Sequence, residues 1–164
     1  MSIRMVSHNI LQIGWTHSIN SDTVLQKYAS TLEYIKKDTI KYKCSTYHLT
    51  HMDYAFLAQE LNLSKLVRLI NQIYGTAYTL SEIWEVVRME QWDFLAPHTD
   101  SFHRLQCVLY LNTLQYHEWW ILWIDGLEIV PKYWDIIVFH GWSPHEVSVI
   151  KTNKSRVCIT LWFQ

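Results

Sequence analysis

The chain has 164 residues, of which 49 % are hydrophobic and 18 % are charged, and its formal net charge is -1. This length and balance predict one globular domain over residues 1–164, and they exclude a disordered or fibrous chain. The nearly neutral charge also excludes a broad electrostatic attraction to nucleic acid.

The N-terminal segment MSIRMVSHNI lacks the long apolar run of a secretory signal. No stretch of the chain approaches the roughly 18 uncharged apolar residues of a membrane span. The three cysteines, Cys44, Cys107 and Cys158, are odd in number and lack paired spacing, so we expect free thiols rather than a disulfide framework. Together these features predict a cytoplasmic protein in a reducing compartment.

Helical spacing of apolar residues predicts a helical buttress over residues 1–75. Ser21 or Asp22 can cap the first helix. The apolar residues that recur after this cap are Val24, Tyr28, Leu32 and Ile35. The basic run that follows is interpreted as a solvated helix end. It consists of Lys36, Lys37, Lys41 and Lys43.

A second helix is predicted from its apolar residues Leu63, Leu66, Val67 and Ile70. Ser64 is the expected cap and Gly75 the expected stop. After Gly75 the pattern changes to short apolar runs rich in β-branched and aromatic residues, which is typical of strands. These runs are IWEVVRM, RLQCVLYL, WWILWI, LEIV, DIIVF, EVSVI and RVCITLWF. Residues 76–164 are therefore predicted to form a β-sandwich or barrel with the helices outside it.

A pair of metal-ligand side chains lies in the segment FLAPHTDSFH. On an extended chain, His98 and Asp100 point to the same face, about 6.6 Å apart along the strand. His145, in SPHEV, can supply a third ligand from another strand. Two histidines and one carboxylate form the facial triad of non-haem iron(II) oxygenases. Taken singly, each histidine is also compatible with an ordinary surface or core-edge position.

Three other histidines, His103, His117 and His140, are rival ligands. His103 falls on a predicted loop only five residues after His98, and His140 lies within an apolar run. Neither forms an i, i+2 pair with a carboxylate. We therefore expect surface or supporting positions for these side chains.

Four stretches, in order, resemble the prolyl hydroxylase-like branch of the 2-oxoglutarate oxygenases. VVRMEQWDFLAPHTD is similar to the approach to that family's HxD motif, and RLQCVLYLN is similar to the strand after it. IVPKYWDIIVFHGWSPHEVSVI resembles the run that carries the second histidine, and RVCITLWF resembles the closing strand. The resemblance covers about residues 83–163, roughly half of the chain.

This resemblance implies a double-stranded β-helix, also called a jelly roll or cupin-like fold. It implies Fe(II) held by His98, Asp100 and His145, with 2-oxoglutarate and O2 as co-substrates and ascorbate as an accessory reductant. The implied reaction is hydroxylation of an unactivated C–H bond by a dioxygenase. Related halogenases lack the carboxylate ligand, so the presence of Asp100 favours hydroxylation.

The resemblance also implies that Arg156, eleven residues after His145, binds the far carboxylate of 2-oxoglutarate. A guanidinium matches a carboxylate bidentately and stays charged. By strand alternation Thr160 shares the face of Arg156. Tyr110 is implied as a second donor to the same carboxylate, and a core tyrosine is the alternative.

Three further residues are candidates for contact with substrate. Trp162, by the resemblance, packs near the metal, and a pure core role is the alternative. Gln106 shares the face of Tyr110 by alternation and could reach the same pocket. Trp142, just before His145, could contact substrate or pack against its own loop.

Three departures from the family pattern affect the predicted pocket. Met89 stands where many members have a tyrosine, nine residues before the first metal-binding histidine. A Gly-Gly pair after the Tyr-Leu-Asn strand is replaced by YHEWWILWIDG, and Trp134 takes the place of a turn glycine. A changed substrate surface follows from these departures, and loss of activity is the alternative.

The substrate expected from the resemblance is a prolyl or other residue in a peptide or protein. A free amino acid or another small molecule is the alternative. Two rivals come from other classes, namely a catalytically inactive jelly-roll metal-binding module and a zinc or manganese cupin that does not use 2-oxoglutarate. Arg156 argues against the zinc or manganese cupin, because a carboxylate-binding arginine has no purpose there.

Overall fold

A computed structural model describes residues 2–15, 24, 27, 28, 33–100, 102–112 and 120–164, and for residues 82–84 it describes the backbone alone. The two helices with defined bounds are α1 (His51–Glu60) and α2 (Leu63–Tyr74). No helix of the described residues is long and apolar enough to cross a bilayer.

Twelve strands account for most of the described chain. The strands before the helices are β1 (Ser2–Ser7), β2 (Ile10–Gly14), β3 (Ile35–Asp38) and β4 (Tyr42–His48). The strands after the helices are β5 (Leu80–Met89), β6 (Phe94–His98), β7 (Leu105–Tyr110), β8 (Leu122–Ile124), β9 (Leu127–Ile129), β10 (Asp135–His140), β11 (His145–Val147) and β12 (Arg156–Phe163).

The strands form one curled antiparallel sheet with two facing halves. The larger half has the order β1-β2-β10-β7-β12-β5-β4, with β3 also paired to β4. The smaller half has the order β6-β11-β8-β9, and β4 joins the halves because its first residues pair with β6. Inner side chains of both halves line one cavity. The predicted jelly-roll fold is thereby confirmed.

Strand β12 divides the core into two layers. Val157, Ile159, Leu161 and Phe163 are buried in the cluster that the helices cover. The alternate residues Arg156, Cys158, Thr160 and Trp162 line the cavity on the other face. This two-residue alternation is the one that the sequence predicts. All three cysteines are free thiols, as predicted, and all three are buried.

The first predicted helix is only partly correct. Val24 and Tyr28 are helical, whereas Ser21, Asp22 and Leu32 lie outside the described residues. Ile35 is not helical, because it begins strand β3 and pairs with Thr46 of β4. The basic run therefore belongs to a β-hairpin and not to a helix end. Cross-strand pairing here overrides a spacing that also fits a helix.

The prediction that residues 1–75 form a helical buttress is wrong for a large part of that range, because strands β1 to β4 lie within it. Apolar spacing also does not predict α1, which begins with a capping box between Thr50 and Asp53. For α2, Gly75 ends the helix with φ +63° as predicted, but the N-cap is Asn62 and Ser64 lies inside the helix.

Strand β6 was not among the predicted strands, although it carries the first histidine of the HxD pair. Its sequence FLAPH is short and contains Pro97, which weakens a strand signal. Pro97 is tolerated because neighbouring pairs anchor the strand, including Leu95 with Tyr42 and His98 with His145.

Candidate metal centre

The smaller half of the sheet brings the three predicted metal ligands together. His98 ends β6, His145 begins β11, and these two residues are direct partners in the β6–β11 ladder. Asp100 follows β6 by two residues. One donor atom of each of the three side chains lies within 4.8 Å of the others. Cross-strand pairing thus supplies the third ligand that residue spacing alone leaves unplaced.

Backbone carbonyls fix the orientation of both imidazoles. His98 Nδ1 is 2.7 Å from the Ala96 carbonyl oxygen, and His145 Nδ1 is 3.0 Å from the Ser143 carbonyl oxygen. Each Nδ1 therefore carries the ring proton and donates a hydrogen bond to a backbone carbonyl. The lone pair of Nε2 is then free to bind a metal. His145 Nε2 lies 3.5 Å from Asp100 Oδ2. The donor set is two neutral imidazole nitrogens and one carboxylate oxygen.

The electrostatics of the centre favour these protonation states. Burial lowers the pKa of His98, and the nearby His145 lowers it further. Burial alone would raise the pKa of Asp100, but hydrogen bonds from His145 and Gln106 and the positive charge of His145 and His98, when these are protonated, hold it below its usual range. A neutral imidazole and an ionised carboxylate are the forms that bind a divalent cation.

The loop that carries Asp100 rests on Gly141, a residue that the sequence analysis missed. The Asp100 amide donates to the Gly141 carbonyl oxygen at 2.8 Å. A Cβ at position 141 would lie 2.1 Å from the His103 carbonyl oxygen and 2.6 Å from that of Asp100. Only glycine fits without moving this backbone. Gly141 lies four residues before His145 in FHGWSPH, and that placement is the signal that could have identified it.

Arg156 lies on the opposite, larger half of the sheet and is only 2 % exposed. Its Nη1 donates to Met89 Sδ and its Nη2 donates to Tyr110 Oη, both at 3.0 Å. Burial raises the pKa of Tyr110 to about 12, so this hydroxyl stays protonated. The guanidinium carbon lies 5.0 Å from the Tyr110 ring centroid and 4.8 Å from that of Trp120.

No carboxylate of the described residues forms an ion pair with Arg156. Its Nε is buried with no hydrogen-bond partner, and thioether sulfur is a weak acceptor. A buried cation with unused donors is strongly destabilising unless an anion pairs with it. The arrangement around Arg156 therefore fits a carboxylate from a bound molecule.

The other predicted site residues differ in their positions. Thr160, Gln106 and Trp162 all line the cavity that holds the three ligands. Trp162 stacks on His103 with ring centroids 4.9 Å apart. Trp142 is 56 % exposed and stacks on His140 at 4.1 Å, outside the cavity lining.

The rival histidines do not join the donor set. Among the described residues, the only group of three or more suitable side chains is His98, Asp100 and His145. His103 and His140 instead stack on tryptophan rings. His117 lies outside the described residues.

Two departures from the family pattern have structural consequences. Met89 pairs with Arg156 across β5 and β12 and places its sulfur against the guanidinium. Trp134 adopts φ +64°, the left-handed region that favours glycine, and its amide donates to the Tyr110 carbonyl oxygen at 2.9 Å. Of the segment that replaces the Gly-Gly pair, residues 116–119 lie outside the described residues, whereas residues 120–126 are described and include β8. Trp120 of this segment packs over Arg156.

The cavity between the halves has a volume of about 260 Å³. It connects the three ligands on one wall to Arg156 and Tyr110 on the other. Ligand pockets commonly span about 300–1,000 Å³, so the volume of this cavity lies just below that range.

Comparison with known proteins supports the same fold. No family model and no curated protein matches the sequence. Among solved structures, a prolyl 4-hydroxylase from Pseudomonas putida is 18 % identical with a TM-score of 0.70, and the match covers 98 % of this chain and 94 % of that one. A viral collagen prolyl hydroxylase from Paramecium bursaria Chlorella virus-1, solved with 2-oxoglutarate, is 12 % identical with a TM-score of 0.73 and 96 % coverage of both chains.

A third similar structure is HygX from Streptomyces hygroscopicus, solved with nickel and 2-oxoglutarate. It is 9 % identical with a TM-score of 0.71, and the match covers 94 % of this chain and 82 % of that one. The chain therefore has the fold of 2-oxoglutarate and Fe(II) oxygenases over nearly its whole length.

Proposed function

We propose that this protein is a 2-oxoglutarate- and Fe(II)-dependent dioxygenase that hydroxylates an unactivated C–H bond. The observation that carries the proposal is one cavity with a cation site and an anion site on facing walls. The cation site is His98, Asp100 and His145, and the anion site is the buried Arg156. The fold shared with structures of such oxygenases supports the assignment.

The donor set fits Fe(II). Two imidazoles and one carboxylate on one side of a metal leave the other side open for co-substrates. When bound, Fe(II) and 2-oxoglutarate supply the oxidation, in which O2 converts 2-oxoglutarate and R–H to succinate, CO2 and R–OH.

The residues of the chain position these groups. Ala96 and Ser143 carbonyls hold the imidazoles so that Nε2 faces the metal. Gln106 supports Asp100 by a hydrogen bond. At the opposite wall, Arg156 and Tyr110 Oη present donors for the far carboxylate of 2-oxoglutarate. Thr160 lies on the same strand face as Arg156 and lines the cavity between the two walls.

There are two candidates for the substrate class. The sequence resemblance favours a prolyl or other residue in a peptide, and two of the similar structures are prolyl hydroxylases. HygX has also been solved with the small molecule hygromycin B. A free amino acid or another small molecule is therefore the second candidate.

A metal-binding module without activity and a zinc or manganese cupin are the competing functions. Neither gives a role to a buried arginine that faces a metal site across a cavity. An isolated charge of this kind is costly to bury, and a carboxylate co-substrate would compensate it.

One anaerobic titration tests the assignment. Purified protein receives Fe(II) and then 2-oxoglutarate, and a weak visible charge-transfer band is expected at about 500 nm from direct chelation. In air, succinate should then form with 2-oxoglutarate but not with glutarate, which lacks the keto group. If the band is absent and no succinate forms, the dioxygenase assignment is wrong. Zn(II) in place of Fe(II) should give neither signal.

A further inference from the structure

Two charged side chains line the same cavity but take no part in the assignments above. Four lysine, arginine, aspartate or glutamate residues are found in the described lining: Lys37, Glu85, Asp100 and Arg156. Asp100 and Arg156 belong to the metal and carboxylate sites. The remaining two are one cation and one anion, Lys37 and Glu85.

These two side chains form an ion pair in the cavity wall. Lys37 Nζ is 2.7 Å from Glu85 Oε1, and the side chains are 34 % and 13 % exposed. Lys37 lies on β3 and Glu85 on β5, on either side of β4. The apolar and weakly polar side chains of Cys44, Thr46 and Val87 form the wall beside them. The second basic neighbour of Glu85 is His48, whose Nε2 lies 3.9 Å from Oε1.

The pair is separated from Arg156 along the sheet. Glu85 is the partner of Thr160 in the β5–β12 ladder, and Met89 is the partner of Arg156. Four residues of strand separate the two positions, about 13 Å. Arg156 is almost completely buried, whereas Lys37 is one-third exposed, so the pair lies toward the open part of the cavity. Lys37 is thus accessible to a molecule that enters the cavity from solvent, whereas Arg156 is not.

The charge of the ligand decides how the pair responds to it. A ligand with a single charge would bind one member and leave the other partly buried without its partner, which is unfavourable. A neutral ligand gains nothing from either charge. A ligand with both an ammonium and a carboxylate replaces one internal ion pair by two intermolecular ones, so that neither protein charge is left unpaired.

We propose that Lys37 and Glu85 recognise a small zwitterionic substrate, a free α-amino acid, with its ammonium on Glu85 and its carboxylate on Lys37. This inference rests on the proposed dioxygenase function and names the substrate class of that site. The small volume of the cavity, about 260 Å³, is consistent with a substrate of this size beside 2-oxoglutarate.

The test uses the Fe(II)-loaded wild-type protein with 2-oxoglutarate in air. Each common L-α-amino acid is compared with its N-acetyl amide, which has the same side chain and neither charge. At least one free amino acid should stimulate succinate formation and gain 16 Da, one oxygen atom, while its N-acetyl amide does not. The best amino acid is then compared with its N-acetyl acid and its primary amide, which each lack one charge. Both derivatives should have a KM about 10-fold higher or more.

Variants assign each charge to its partner. Glu85→Gln should raise KM about 10-fold for the free amino acid and leave KM for its N-acetyl acid unchanged, because that derivative has no ammonium to lose. Lys37→Gln should likewise raise KM about 10-fold for the free amino acid and leave KM for its primary amide unchanged, because the amide has no carboxylate to bind Lys37. The matched control is Lys36→Gln, an exposed lysine of the same strand, which should change neither KM. KM for 2-oxoglutarate should stay within about twofold in all three variants.

The outcomes separate this inference from the function on which it rests. No charge-transfer band and no succinate with any compound overturns the dioxygenase assignment. A band with succinate formation that only the N-acetyl amides stimulate, or that no free amino acid stimulates, overturns the zwitterion inference alone. Equal KM values for the free amino acid and its charge-deleted derivatives also overturn it, and that comparison needs no variant protein to fold.

Discussion

The two ends of the cavity differ in how well their polar groups are already satisfied by hydrogen bonds. At the metal end, formed by His98, Asp100 and His145, backbone carbonyls already satisfy both Nδ1 atoms and leave lone pairs facing one point. At the arginine end, formed by Arg156, Met89 and Tyr110, the described residues offer the buried cation a thioether and a phenol as acceptors. The metal end presents acceptors for a cation, and the arginine end presents donors for an anion.

This difference predicts how ligand binding at each end affects the stability of the protein. Acceptors with fixed second partners bind a cation with little rearrangement. A buried charge without a counter-charge lowers the stability of the ligand-free protein and recovers that loss when an anion binds. We therefore expect substitution of a metal-ligand side chain to affect metal affinity alone, and substitution of Arg156 to move 2-oxoglutarate affinity and stability in opposite directions.

The largest effect is expected from removal of the only carboxylate at the metal end. Asp100→Ala should weaken Fe(II) binding more than about 100-fold, beyond the range seen for supporting groups around a metal. Anaerobic titration followed by metal analysis measures this. Asp38→Ala, at an exposed position on β3, is the control and should bind iron normally. Wild-type iron affinity in Asp100→Ala would show that the metal lies elsewhere.

The arginine end should respond to Arg156→Met in two directions. Loss of the guanidinium should weaken 2-oxoglutarate binding about 30- to 100-fold. The ligand-free protein should become more stable by about 1 kcal/mol or more, because a buried uncompensated charge is replaced by an apolar side chain. Calorimetric titration and urea unfolding measure the two quantities.

Iron binding provides the internal control for Arg156→Met and should stay within about twofold of wild type, since the two ends are on different strands. A variant that is both less stable and unchanged in 2-oxoglutarate binding would show that Arg156 is an ordinary core residue. The predicted fall in 2-oxoglutarate affinity with a rise in stability would then be wrong.

Gly141→Ala tests whether the metal end depends on its supporting loop. The added Cβ would collide with two backbone carbonyls, those of His103 and Asp100. We expect a loss of about 1–3 kcal/mol in the free energy of unfolding and about 10-fold weaker iron binding. Gly14→Ala is the matched control, since its nearest contact is the Ser2 side chain, which can rotate. Equal iron affinity in both variants would contradict a positioning role for Gly141.

The sequence predicts the two ends of the cavity unequally well. His98, Asp100, His145 and Arg156 follow from spacing and from the family resemblance. The placement of Gly141 four residues before His145 marks it as a candidate, but its contact with the Asp100 loop joins residues far apart in the chain and is not predictable from the sequence. Lys37 was read as part of a helix end, and only pairing of β3 with β4 turns it toward the cavity.

The same limit explains the errors in the fold. Apolar spacing in the first 75 residues fits a helix and a hairpin almost equally, and tertiary pairing decides between them. Helix α1 has a clear capping box at Thr50 but a weak apolar face, so spacing alone misses it. Strands β7, β10 and β12 are predictable from their continuous apolar runs because they are buried on both faces.

The smallest expected effect concerns Met89, the acceptor that distinguishes the arginine end from the family pattern. Met89→Leu keeps the volume but removes the sulfur, so Arg156 Nη1 loses its weak acceptor, and the free energy of unfolding should fall by less than about 1.5 kcal/mol. Bound 2-oxoglutarate should replace that acceptor, so the variant and wild type should have more similar stabilities at saturating 2-oxoglutarate. Urea unfolding with and without 2-oxoglutarate measures this. If Met89→Leu loses the same free energy of unfolding with and without 2-oxoglutarate, the sulfur contributes through packing alone. The Arg156 guanidinium would then not replace its contact with the sulfur by one with the carboxylate of 2-oxoglutarate.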